Sequence, residues 1–174
     1  AGMLLSALNQ ARATSKAIKC INNQKQLGAS AVMYANDNQD FLPILPDIWT
    51  YWFVKLYDYN NSPGIVLCPS STKPYVNNTA STFEWKVSIG ANSNLLPIEG
   101  TGVKKLSQMK HPSQTMLFAD VINIIDDTSD QWVNAPPYAA LYNTLNPLHN
   151  GFWNNTFADG HADKRGRNNI GPSN

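Results

Sequence analysis

Charge is scarce in this sequence. Asp, Glu, Lys and Arg make up 14% of the chain, against roughly 25% in an ordinary soluble domain. The formal net charge is +1, so the balance signals neither a polyanion nor anionic lipid as partner. Asn, Ser, Thr and Gln fill the gap and give a polar, weakly charged surface, a feature common in extracytoplasmic proteins and suited to close self-packing. No run of about 20 apolar residues occurs, so the chain as given does not span a membrane, and its start lacks a signal-peptide pattern. Cysteine is nearly absent. Cys20 and Cys68 are the only two, and neither has a second Cys or His at metal-ligand spacing. Two buried thiols are one reading. The preferred expectation is a Cys20–Cys68 disulfide, which would close a loop worth about 4 kcal/mol in the loop-entropy picture.

The signatures of common catalysts are missing too. There is no Gly-x-Ser-x-Gly elbow and no glycine cradle for phosphate. Cys68 precedes Pro69, where a reactive thiol usually has a helix N-terminus. The only glutamates are Glu84 and Glu99, and nothing pairs them as a glycosidase would require. The sequence does not read as an enzyme.

What is present begins with a helix. Residues 1–36 contain no proline, and Leu4, Leu8, Ala11, Ile18, Ile21, Gly28, Val32 and Ala35 recur close to the helical period. The stretch before Cys20 is rich in Ala and poor in large core residues, as expected of a half that protrudes and packs on other chains. It carries Arg12 and Lys16 with no acidic neighbour. AGMLLSALNQARATSKA has no cap and no polar lead-in, and reads as a helix entered midway.

Residues 37–174 form the second region, a globular head. In PDIWTYWFVKLYDYN, Asp47 is a candidate N-cap, and Ile48, Trp52, Phe53 and Leu56 make the apolar face of a short helix. EWKVSIGAN (84–92), QTMLFADVI (114–122) and WNNTFA (153–158) read as strands. Asp159-Gly160 turns the last of these back into HADKR, and the dipeptide predicts a type I′ hairpin. Residues 123–148 read as a long irregular insertion. The expected fold is α+β: a long N-terminal helix packed on a small antiparallel sheet with long loops.

His149, Asp159, His161 and Asp163 invite a metal reading, but their spacing is not diagnostic. A structural clasp is preferred, in which Asp159 ties the turn backbone and His149 bonds a nearby carbonyl or Asp159 itself. Asp120, Asp126, Asp127 and Asp130 are calcium candidates, although they do not follow the Asp-x-Asp-x-Asp-Gly pattern. No other cofactor is expected. Trp49, Trp52, Trp85, Trp132 and Trp153 could serve a glycan- or peptide-binding face or the core.

Several blocks together carry a resemblance. His149 with Asp159-Gly160 makes an H-x9-D-G motif inside NTFADGHAD; CINNQKQLGASAVMYANDNQDFLP (20–43), CPSS (68–71) and HPSQTMLFAD (111–120) precede it in order, and AGMLLSALNQAR (1–12) looks like the end of a membrane-inserted pilin helix. The chain resembles type IV pilin-like proteins of the type II secretion pseudopilin kind, in the branch marked by that motif. Ala162 stands where that hairpin usually has a larger β-branched residue. The family's cleaved leader, methylated residue and hydrophobic stretch with its glutamate are not in this sequence. The resemblance implies a subunit held in the inner membrane and then built into an extracytoplasmic filament. Leu4, Leu8, Ala11, Arg12 and Lys16 would lie on the helix that packs it. Its partners would be copies of itself, other pilin-like subunits and the inner-membrane assembly machinery, with no nucleic acid. Membrane contact would come only through the segment missing here.

Overall fold

A computed structural model of the chain describes residues 2–43, 52–72, 74–77, 85–92, 95–96, 105–121, 132–133, 145 and 147–166. Helix α1 (Gly2–Asp37) is 36 residues long, about 54 Å at about 1.5 Å per residue. It ends where Asn38 turns its side-chain amide onto the Tyr34 carbonyl at 2.8 Å, and Gln39 and Asp40 take left-handed φ values of 55° and 72°. Such residues compete with the helical ladder, which stops it here.

Burial divides α1 sharply. Residues 3–16 are all exposed, whereas Cys20, Asn23, Gln24, Leu27, Gly28, Ala31 and Ala35 are buried. Their spacing of three and four follows one face of the helix. That stripe lies on the head of the protein, and the part before Cys20 stands clear of it.

Helix α2 (Trp52–Asn60) buries Trp52, Phe53 and Leu56. The expected cap Asp47, with Ile48 and Trp49, lies outside the described residues. Strands β1 (Tyr75–Asn77) and β2 (Trp85–Val87) form a small antiparallel pair. The main sheet holds β3 (Ile89–Asn92), β4 (Met116–Asp120), β5 (Trp132–Val133), β6 (Phe152–Phe157) and β7 (Ala162–Gly166) in the order β5-β3-β4-β6-β7. Each of its four longer strands runs antiparallel to its neighbour among them; β5 adds to β3 in parallel. The fold is therefore α+β, as the sequence indicates.

Three details differ from expectation. EWKVSIGAN is two strands in two sheets, broken at Ser88, whose N–H donates to the Val66 carbonyl at 3.0 Å and whose carbonyl accepts from Val121. The insertion 123–148 contributes a short strand, β5, at the sheet edge. The Asp159-Gly160 loop is not type I′, because only Gly160 has positive φ there (85°). The Gly160 N–H donates to Phe157 and the Phe157 N–H to His161, both at 2.9 Å. This is a three-residue loop, a type I turn followed by a left-handed glycine.

The core gathers Leu27 and Ala31 of α1, Trp52, Phe53 and Leu56 of α2, and Val87, Ile89, Leu117 and Phe118 of the strands. Trp52 stacks on Phe118 with ring centroids 4.8 Å apart. Helix and sheet meet most closely at Gly28, where a Cβ would lie 2.6 Å from the Thr156 methyl and 3.0 Å from the Gly160 carbonyl oxygen.

Candidate functional site

Two features stand out: a buried polar cluster at the foot of the helix, and the bare half of the helix above it.

The cluster forms because four separate segments end at one point. α1 turns Cys20 inward where its buried stripe begins. Pro63–Val66 form a short 3-10 turn, after which the backbone N–H of Cys68 donates to the Ser88 hydroxyl at 2.7 Å. Asp120 is the last residue of β4. His149 precedes a two-residue turn in which Asn150 and Gly151 take φ values of 57° and 84°, and His149 and Phe152 exchange backbone hydrogen bonds. That is the type I′ geometry, at Asn-Gly instead of Asp-Gly.

The donor atoms of Cys20, Cys68, Asp120 and His149 all lie within 4.8 Å of one another, and all four residues are buried. The Cys20 thiol donates to Asp120 Oδ1 at 3.1 Å. His149 Nε2 lies 3.4 Å from Asp120 Oδ2 and 3.3 Å from Cys68 Sγ. An outer layer fixes the carboxylate. Gln24 Nε2 donates to Oδ1 at 3.2 Å, and the Asn154 backbone N–H donates to Oδ2 at 2.9 Å. Gln24 is held in turn by the Thr156 hydroxyl, which donates to its side-chain oxygen at 3.1 Å.

These contacts move the titrations. Burial works against charge on His149, yet its hydrogen bonds to Asp120 and Cys68 and their negative charge outweigh it and raise the imidazole to about 9. The thiols diverge. Cys20 is driven far up, first by its contact with Cys68 and then by burial and Asp120. Cys68 is drawn down to about 6, first by the Cys20 contact and with help from His149, against the opposing effect of burial. The cluster is thus a sealed set of charge-bearing groups, able to share protons or hold a metal ion, with no open face for a substrate.

Several expectations change here. Cys20 and Cys68 do meet, as the expected disulfide requires, but in this structure both are free thiols, with Cys20 donating to Asp120 and Cys68 beside His149. The clasp divides. His149 is paired with Asp120, not Asp159. Asp159 instead accepts from the His161 N–H at 3.1 Å and contacts its imidazole, closing the hairpin loop locally. Gly160 sits against α1 at Gly28. Asp163 is occupied by Arg165 Nε at 3.0 Å, so His149, Asp159, His161 and Asp163 do not share one site. Asp120 faces sulfur and nitrogen, unlike the oxygen cage of calcium; Asp126, Asp127 and Asp130 lie outside the described residues. Trp52 and Trp153 are core residues, at 0% and 3% exposed.

Sequence reasoning missed Gln24, Asn154 and Thr156. Gln24 had a signal, as a polar residue one turn beyond Cys20 and in line with Leu27 on the buried stripe. Asn150-Gly151 had a stronger one, since Asn-Gly is the leading type I′ pair.

The bare half of α1 is the second feature. Met3, Leu4 and Leu8 are 89%, 78% and 47% exposed. Ala11, Arg12 and Lys16 are exposed beside them. Among the described residues no helix is long and apolar enough to cross a membrane. No family model, curated protein or solved structure matches the chain.

Proposed function

We propose that the chain is a pilin-like or pseudopilin-like structural subunit of an extracytoplasmic filament, assembled through α1. The observation that carries this reading is the exposed run from Met3 to Lys16, a continuous helix with Leu4, Leu5 and Leu8 in solvent. An isolated helix of that length is marginal in water. Its apolar residues gain most by packing on equivalent helices of further copies. Ala7, Ala11 and Ser15, one turn apart, allow close helix approach. Arg12, Lys16 and Lys19 find no acidic residue on α1 before Asp37, which leaves them for carboxylates of neighbouring subunits. A glycan-binding module has less support, since Trp52 and Trp153 serve the core.

The test is immunogold electron microscopy of cells carrying the native gene or its Leu8→Glu variant, with mass spectrometry of the mature amino terminus. Labelled filaments, lost in the variant while the head stays folded, are expected. Native protein found only as monomer, or normal filaments from Leu8→Glu, would overturn the reading.

A further inference from the structure

We propose that Cys20, Cys68, Asp120 and His149 form a four-coordinate site for a divalent transition metal, zinc by preference, which fastens α1 to the sheet. The inference stands apart from the filament reading and concerns the junction of α1 with the head.

Geometry comes first. A tetrahedron with metal–ligand bonds of about 2.0 to 2.3 Å has edges of about 3.3 to 3.8 Å. Three contacts in the cluster are of that order, 3.1 Å from Cys20 Sγ to Asp120 Oδ1, 3.3 Å from Cys68 Sγ to His149 Nε2 and 3.4 Å from His149 Nε2 to Asp120 Oδ2, the two on Asp120 falling on opposite oxygens of its carboxylate. These contacts already involve all four donors, and one ligand atom from each residue can be chosen so that no two lie farther apart than 4.8 Å. A bound ion would draw the longer separations in to tetrahedral edges.

Donor chemistry selects the ion. Two thiolates, an imidazole and a carboxylate suit a borderline-soft cation without strong geometric demands, which is zinc. Calcium and magnesium take oxygen donors and are excluded by the sulfurs. Four protein ligands leave no open position, and the residues are sealed from solvent, so the site is structural instead of catalytic.

The surroundings match a metal site as well. Ligating carboxylates are held by outer hydrogen bonds. Here Gln24 Nε2 and the Asn154 backbone N–H each hold one oxygen of Asp120, and Thr156 holds Gln24. Burying a carboxylate and an imidazole beside two thiols costs hydration of the charged groups, which their mutual contacts offset only in part. A cation satisfies them at once. Its position also carries a consequence. Cys20 opens the buried stripe of α1, so the ion would pin the helix where it leaves the head.

The experiment uses the whole chain, reduced and stripped of metal, titrated with Co²⁺ and then Zn²⁺. Expected are stoichiometric uptake, the visible bands of tetrahedral cobalt, a near-ultraviolet sulfur-to-cobalt band, and displacement by zinc. Gln24→Ala should weaken zinc binding about 10- to 100-fold through the outer layer, and Cys68→Ser should weaken it further and remove much of the sulfur band. Because Cys68→Ser could fail to fold, the cobalt spectrum of the unaltered chain decides by itself. A pale octahedral spectrum, or no uptake, would overturn the site and leave a hydrogen-bonded core network. Native protein isolated without metal and lighter by the two hydrogens of a Cys20–Cys68 bridge would overturn it equally.

Discussion

Gly28 of α1 and Thr156 of β6 approach so closely that a Cβ on the glycine would come within 2.6 Å of the threonine methyl. The same Cβ would meet the Gly160 carbonyl oxygen at 3.0 Å, so backbone as well as side chain stands in the way. Thr156 is pinned by its hydroxyl, which donates to the Gln24 carbonyl at 2.9 Å, and cannot swing aside cheaply. Gly28→Ala gains helix propensity of about 1 kcal/mol, but overpacking costs about 1–3 kcal/mol. A net loss of about 1 kcal/mol is expected, seen as a fall of about 2–4 °C in Tm. Adding Thr156→Ser, which keeps the hydroxyl and removes the methyl, should recover part of the loss. A Gly28→Ala variant that melts higher than the parent would show that the contact is slack.

His149 and Asp159, which share one sequence motif, should behave very differently. His149 is buried and faces Asp120 and Cys68, whereas Asp159 sits in an exposed turn with His161. Removing one partner of a buried charge pair costs about 3–5 kcal/mol, because the other is left without compensation. Asp159→Ala removes a local turn bond worth about 1 kcal/mol. His149→Ala should therefore lower Tm several times more than Asp159→Ala. Equal falls in the two variants would restore a direct clasp between these residues.

The acid limb of stability carries a smaller signature of the same turn. Burial is the largest single influence on Asp159 and opposes its ionisation, but hydrogen bonds from the His161 side chain and backbone, with its charge, together outweigh it and hold the carboxyl below the usual range. A depressed folded pKa contributes stability that is fully present above the unfolded value of about 3.9 and is lost as pH falls through the lower folded value. Solvent screens this half-exposed pair, so the contribution is under about 1 kcal/mol. Carbon-13 NMR titration should place the Asp159 midpoint below an ordinary aspartate, and Asp159→Asn should flatten the acid limb of ΔG against pH. A midpoint at or above the ordinary value would refute the pairing.

How much of this was legible depended on the range of the interactions. The apolar face of α2 follows a local period and could be read directly. On α1 the helix was legible but its buried face was not: of Ile18, Ile21, Gly28, Val32 and Ala35 only Gly28 and Ala35 are buried, and the stripe runs instead through Cys20, Asn23, Gln24, Leu27 and Ala31. The alternation in EWKVSIGAN continues through Ser88, so the break there has no local mark; it is imposed by Val66 and Val121 from other elements. Asp159-Gly160 fits either of two loop types, and the choice falls to Ala158, which is buried and whose N–H is held by the Pro112 and Thr115 carbonyls. The Cys20–Asp120 contact joins residues 100 positions apart, beyond any spacing rule. Cys20 and Cys68 were paired from the sequence, whereas Asp120 and His149 were noticed apart from them and from each other; the meeting of all four is a property of the fold.

The two halves of α1 should differ in stability as they differ in burial. Leu8 is 47% exposed and Leu27 is fully buried against the core, though both are leucines on one continuous helix. In the isolated chain, Leu8→Ala should change stability by no more than about 0.5 kcal/mol. Leu27→Ala should cost about 2–5 kcal/mol, through lost burial and the cavity left behind. Backbone exchange gives an independent reading. Amides of residues 6–16 lack tertiary packing and should exchange through local fraying, while those of 24–35 should approach global protection. The boundary should fall near Cys20, and in the proposed filament the first group should become protected as neighbouring helices cover it. Uniform protection along α1 in the isolated chain would mean that the exposed half is stable alone, removing the physical reason for it to seek a partner.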